Sequence, residues 1–152
     1  MQGLRSIYDR ATDRLSGLLP ESVALLFTRV ALAGVFWRSG RTKVEEGSFL
    51  EISDTTYFLF EHEYGGVPLP HEIAAPMATY AEHAFPILLV LGLATRFSAL
   101  SLLLMTLVIQ FFVYPAAWWA THILWVALAA VLISRGAGVF SLDAIIGKMR
   151  AR

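Results

Sequence analysis

The 152-residue chain contains no cysteine. Without a thiol it cannot carry out thiol–disulfide exchange, ligate an iron–sulfur cluster or build a cysteine metal site. Any redox role must therefore come from a bound cofactor or a partner. Charge is scarce as well: only 16% of residues are charged, against roughly a quarter in soluble domains. The formal net charge is zero and no nucleic-acid-binding motif is present, so nucleic acid is not an expected partner. There is no internal repeat of the kind many transporters carry. His62, His71 and the acids near them lack a metal-ligand spacing, and no metal is expected.

What is abundant is apolar sequence. Hydrophobic residues make up 57% of the chain, above the roughly 45–50% of soluble domains. Four stretches are long enough to cross a bilayer, at about residues 22–41, 73–95, 97–114 and 118–134. These boundaries predict an all-α, transmembrane four-helix bundle forming one domain over residues 1–152. Residues 42–72 form the one substantial polar segment. It is acidic, and Asp54-Thr55-Thr56-Tyr57-Phe58 reads as the start of a short interfacial helix ending near Gly65-Gly66. Residues 1–20 mix Arg5, Asp9, Arg10, Asp13 and Arg14 with leucines at helical spacing, which fits an amphipathic surface helix and equally a solvated tail before the first span. A cleaved leader is not expected, because Arg29 interrupts the apolar run before Ala31-Leu32-Ala33.

Orientation follows from the cations. Arg5, Arg10, Arg14, Arg96, Arg135, Lys148, Arg150 and Arg152 fall on one side of a four-span arrangement, while the acids of 42–72 collect on the other. The positive-inside rule then places both termini in the cytoplasm and the acidic loop outside.

The second span carries Glu82, His83 and Pro86 near its middle. An ionisable residue at that depth is costly and marks a bundle-interior or functional position. Pro86 also deprives the Glu82 carbonyl of its intrahelical partner, so this level must face protein or water. On the first span Arg29, Ala33, Phe36, Gly40 and Lys43 share a stripe at 100° per residue, with Arg38 opposite. Arg29 and Glu82 are thus expected to form a buried ion pair, either structural or poised for proton transfer. Gln110 and His122 sit near the outer ends of the third and fourth spans as possible hydrogen-bonding partners for a ligand. His83 and His122 are a formal axial pair for haem, but one histidine on each of two helices is more often a hydrogen-bonded interior residue. The same two histidines could instead contact a quinone, and the residues alone leave the cofactor open.

Arg29, Gly40-x-x-Lys43, a long loop, Glu82, Gly92 and Thr95-Arg96, in that order across four spans, resemble the DoxX family. The resemblance extends from about Leu25 to Leu142. It implies a small bacterial inner-membrane four-helix protein, in a family named for subunits associated with quinol oxidase and thiosulfate:quinone oxidoreductase activity. Some members are linked to stress-related membrane complexes. The implied family positions are Arg29, Gly40, Lys43, Glu82, Gly92 and Arg96. The expectation that follows is an oxidoreductase subunit in which Glu82 and His83 move a proton and Arg29, Lys43, Gln110 and His122 bind a quinone-type ligand. Gly40, Gly92 and Arg96 would serve structure. The alternative is a non-enzymatic accessory protein that anchors a partner enzyme, with Arg29 and Glu82 as its structural pair. The bilayer, a protein partner in a membrane complex and a second copy of the chain are the expected contacts.

Overall fold

Leu18–Arg41 opens the described chain as α1, a 24-residue helix long and apolar enough to span a membrane. The structure, a computed structural model, describes Thr12 and residues 17–151. The surface helix expected over residues 1–20 lies outside the described residues, apart from its last few, which begin α1. The short helix α2 follows at Asp54–His62, then the spans α3 at His71–Leu91 and α4 at Thr95–Phe112. The fourth span, Pro115–Arg135, opens with a 3₁₀ turn and a π turn before continuing as α5 at Ile123–Arg135. A last helix, α6, occupies Leu142–Arg150. Among the described residues there is no strand, only an isolated antiparallel bridge between Val44 and Ile52.

The four spans close into a ring: α1 packs on α3 and α5, and α4 packs on the same two helices. Leu25, Leu32, Ala33 and Phe36 of α1 meet Leu89 of α3, Ala99 and Leu102 of α4, and Ala129 and Leu132 of α5 in the core. Outward-facing positions are just as apolar, including Phe27, Val30, Ile87, Leu104, Phe111 and Leu124. A helix that is hydrophobic on all sides belongs in lipid. The chain is a multi-pass membrane protein. A smaller apolar cluster of Phe60, Ala74 and Ala75 docks α2 against the first turns of α3.

The junction of the second and third spans differs most from the sequence expectation in its local structure. The second span ends at Leu91 rather than Thr95, because Gly92 takes a left-handed conformation (φ 66°). The Leu93 and Gly92 amides then donate to the Leu88 and Leu89 carbonyls, the paired bonds of a Schellman stop. Ala94 is also left-handed, so the turn between spans is Gly92 to Ala94. The third span accordingly starts at Thr95, capped from far along the chain: the Asp143 carboxylate accepts from the Ala94 and Thr95 amides at 2.8 and 2.9 Å. That acid belongs to α6, which ends in the cations Lys148 and Arg150. Its N-cap is Ser141, whose hydroxyl accepts from the Ala144 amide. In the loop, the cap of α2 is Ser53 rather than Asp54. Helix α3 runs unbroken through Pro76 and Pro86.

For convenience, the end of the bundle that carries residues 42–70 is called the loop face, and the end that carries α6 the tail face.

Candidate functional site

Helices α1 and α3 cross closely at Gly40. A Cβ there would lie 3.0 Å from the His83 ring and 3.1 Å from the Glu82 Cβ. Such contacts are tighter than a side chain ordinarily makes. Gly40 therefore sets the level of α1 that faces Glu82. Arg29 lies eleven residues earlier, about 16 Å lower along the axis at 1.5 Å per residue.

This stagger overturns the expected Arg29–Glu82 pair. Glu82 instead pairs with Lys43, whose Nζ lies 2.7 Å from Oε2 with both side chains almost completely buried. The physical reason is the direction of helical side chains, which slant toward the N-terminus. Arg29 slants away from Glu82 toward the tail face. Lys43, just past the end of α1, can reach back into the bundle. It also donates to the Ser39 hydroxyl at 2.9 Å. Its own carbonyl accepts from the Ser53 amide and the Thr56 hydroxyl, so the same residue holds the start of α2.

Arg29 performs a different task. Its guanidinium donates to the carbonyls of Leu89 (3.1 Å), Val90 (3.3 Å) and Phe140 (2.5 Å). The first two are carbonyls of the last turn of α3, where a cation is favoured by the helix dipole; the Leu89 carbonyl also takes the Gly92 amide of the stop. Asp143 lies within Coulombic range of Arg29. The arginine closes the C-terminus of α3 while the aspartate closes the N-terminus of α4.

The expected single polar core opening toward the loop face is thus three separate clusters. Arg29 and Asp143 mark the tail face. Glu82, Lys43, Ser39 and His83 lie at the α1–α3 crossing. Gln110 and His122 form a third, joined at 2.6 Å between His122 Nδ1 and Gln110 Oε1. Gln110 Nε2 further donates to the Pro115 carbonyl, holding the turn that leads into the π segment. His122 also rests on Trp125, whose ring meets Phe36.

Next to the Lys43–Glu82 pair is a groove of about 270 Å³ between α3 and α4, roofed by α2. Phe60 and Tyr64 of the loop side, Met77 and Ala78 of α3, and Leu104 and Met105 of α4 supply an apolar wall. Ser39 and Glu82 are its polar contribution from the bundle interior. Met77 and Leu104 are more than half exposed on the lipid-facing side. Arg29, Gln110 and His122 do not line it. Tyr64 and Ser39 were not singled out in the sequence; both belong to segments that only the folded loop brings to Glu82. Burial pushes the Tyr64 phenol above its ordinary value, so it stays a neutral donor.

His83, adjacent to Glu82, donates from Nδ1 to the Thr79 carbonyl at 2.7 Å and meets Trp37 edge to face. Its Nε2 is buried without a partner among the described residues. Since Nδ1 carries the proton in that bond, Nε2 of the neutral ring is an unused acceptor. The mouth of the site on the loop face is clasped by the Tyr114 hydroxyl, which donates to the Glu63 carboxylate. Gly66 lets the loop lie against the Phe112 carbonyl, since a Cβ there would come within 2.8 Å of that oxygen.

Four apolar spans around a buried lysine–glutamate pair define a small helical-bundle membrane protein. The chain belongs to the DoxX family: the family model matches residues 24–115. It is similar to a protein of Haemophilus influenzae described as an uncharacterized protein, 34% identical over 143 residues that cover 84% of this chain and 85% of that one. No solved structure matches it. The residues that carried the resemblance each have a place: Lys43 and Glu82 pair, Gly40 permits the crossing, and Gly92 stops α3. Arg29 binds the carbonyls, and Arg96 donates to the Ile133 carbonyl at 2.8 Å.

Proposed function

We propose that the chain is the membrane subunit of an oxidoreductase complex in the bacterial inner membrane, and that the α3–α4 groove receives a quinone-type ligand. The observation behind this reading is the groove itself: apolar, exposed to the lipid side at Met77 and Leu104, and floored by a carboxylate paired to an ammonium. Its volume is just under the roughly 300 Å³ at which small-molecule sites begin, enough for a headgroup whose tail stays in lipid. Glu82 accepts one hydroxyl proton of the reduced ligand and the second leaves to the aqueous phase, as the two electrons pass to an oxidising partner protein. Lys43 and Ser39 hold the carboxylate, and Tyr64 donates to a ligand oxygen. The His83 Nε2 lone pair is the next acceptor along, whereas Arg29, Gln110 and His122 act outside the groove. The cation bias supports an orientation with the termini and α6 in the cytoplasm and the groove toward the outer leaflet.

The test is an optical spectrum and solvent extract of the protein purified in mild detergent, followed by Glu82→Gln in the intact complex. Stoichiometric quinone, with turnover lost at normal abundance of the variant, supports the reading. A quinone-free preparation, together with unchanged turnover in Glu82→Gln, removes it.

A second reading is favoured by one observation. Because the Lys43 carbonyl holds α2 while its ammonium holds α3, the pair ties three elements together as a purely architectural joint would. The chain would then be a non-enzymatic anchor for a partner enzyme or a second copy of itself. In that case Glu82→Gln lowers folded abundance rather than turnover.

A further inference from the structure

A second cavity is on the opposite side of the bundle from the groove. It measures about 530 Å³ and lies at the tail face, between the first turn of α4, the 136–141 linker and the start of α6. Arg96 and Arg135 border it. The Arg96 guanidinium is fixed by its Nη1 bond to the Ile133 carbonyl. Its Nε and Nη2 lie over Gly136, where a Cβ would stand 3.4 and 3.5 Å away, and they have no acceptor among the described residues. Arg135 is engaged only at the surface, by Glu21 at 3.2 Å with both side chains exposed. An exposed pair of that kind contributes little and exchanges readily.

Further donors converge on the same place. Asp143 takes the Ala94 and Thr95 amides, leaving the Arg96 and Phe97 amides of the first turn of α4 without an acceptor among the described residues. The Thr95 hydroxyl, enclosed beneath this turn, has no partner among the described residues. Asp143 is the one acid in the lining. Its charge is met by two amides and by Arg29 within Coulombic range, while Arg96 and Arg135 stand against it as two cations. The balance at the cavity is positive.

We propose that this cavity binds a phosphate group, with the headgroup of an anionic phospholipid as its source. Depth favours the lipid. Arg96 is the second residue of α4 and Arg135 the last of α5, so both cations lie where a span meets the headgroups. Phe97, 62% exposed, flanks the cavity on the outer surface of α4, where an acyl chain would lie. The neighbouring α6 presents Leu142, Ile145 and Met149 along one exposed side and carries Lys148 and Arg150, the pattern of a helix lying in the interface.

The experiment is lipid binding by native mass spectrometry of the full chain in detergent. Phosphatidylglycerol, phosphatidylcholine of the same acyl chains and inorganic phosphate serve as probes. Phosphatidylglycerol should be retained at least about fivefold more strongly than phosphatidylcholine, since one arginine near a headgroup is worth about that factor. Arg135→Gln should lower retention by about fivefold. Glu21→Gln, which frees Arg135, should raise it. Arg96→Gln also removes a bond to α5, so Arg135→Gln and Glu21→Gln are the deciding variants. Competition by millimolar inorganic phosphate supports the site and shifts its source to a soluble phosphate. Equal retention of the two lipids overturns the proposal. So does an equal loss in Lys148→Gln/Arg150→Gln, which would reveal a diffuse cationic surface.

Discussion

Lys43 and Glu82, thirty-nine residues apart, meet at 2.7 Å with 6% and 3% of their side-chain surfaces exposed. Neither helix alone presents this pair. The lysine lies beyond the end of α1 and is drawn inward by a loop whose α2 start it also holds.

Truncating one partner leaves the other as an uncompensated buried charge. Lys43→Met is expected to destabilise the protein by about 3–5 kcal/mol, and Lys43→Met/Glu82→Leu by much less, since apolar replacement of a buried pair is often near neutral. Thermal unfolding in detergent measures both. A double variant as unstable as Lys43→Met would show that the cost comes from lost packing rather than the stranded carboxylate.

Three glycines separate close packing from backbone need. Gly34 has nothing within 4 Å of a would-be Cβ, so Gly34→Ala should be neutral or stabilising by up to about 1 kcal/mol from helix propensity. Gly40→Val pushes into His83 and Glu82 and should cost about 1–3 kcal/mol as overpacking. Gly92→Ala combines a left-handed φ with a Cβ 2.5 Å from that of Ser141, and should be the worst of the three. The ranking is read from melting temperatures of the three variants.

Arg29→Lys keeps the charge but loses the planar fork that spans Leu89, Val90 and Phe140. The linker before α6 should then become accessible to limited proteolysis at a protein concentration where the wild type is intact. Asp143→Ala, which uncaps α4 at a cost of about 1 kcal/mol, should expose the same segment. Protection equal to wild type in both variants would dismiss this staple.

On the loop face the Tyr114 phenol is raised above its ordinary value, first by its hydrogen bond to Glu63 and then by burial. A raised folded value means that its contribution to stability is complete below about pH 10, the unfolded value, and is lost as pH climbs through the folded one. Ultraviolet titration of the phenols should show a late-ionising tyrosine that Tyr114→Phe removes. If the late step persists in the variant, Tyr64 is its source.

Much of the fold was legible because lipid imposes a coarse rule: a span must be long, apolar and helical. That rule picks out all four spans, the inward stripe of Arg29, Gly40 and Lys43, and the outward Arg38, from periodicity alone. The helix in the loop was readable from its Asp54-Thr55-Thr56 start and its aromatics, though the cap itself is Ser53. The stop at Leu91 was less so, because a glycine inside an apolar run does not announce its left-handed φ.

The sequence by itself determined a four-span bundle with ionisable groups held inside it, since no other arrangement hides that much apolar surface while shielding Glu82 from lipid. Only the tertiary structure decided which charges meet. Depth counted along each span put Arg29 and Glu82 level, but the α1–α3 crossing is set by Gly40 against His83, and this stagger moves Arg29 a membrane's half-thickness away. The partners that replaced it, Lys43 for Glu82 and the Leu89, Val90 and Phe140 carbonyls for Arg29, come from a loop fold and a C-terminal linker. Neither has any periodicity to read, and their positions follow from backbone groups that had to find hydrogen bonds out of reach of water.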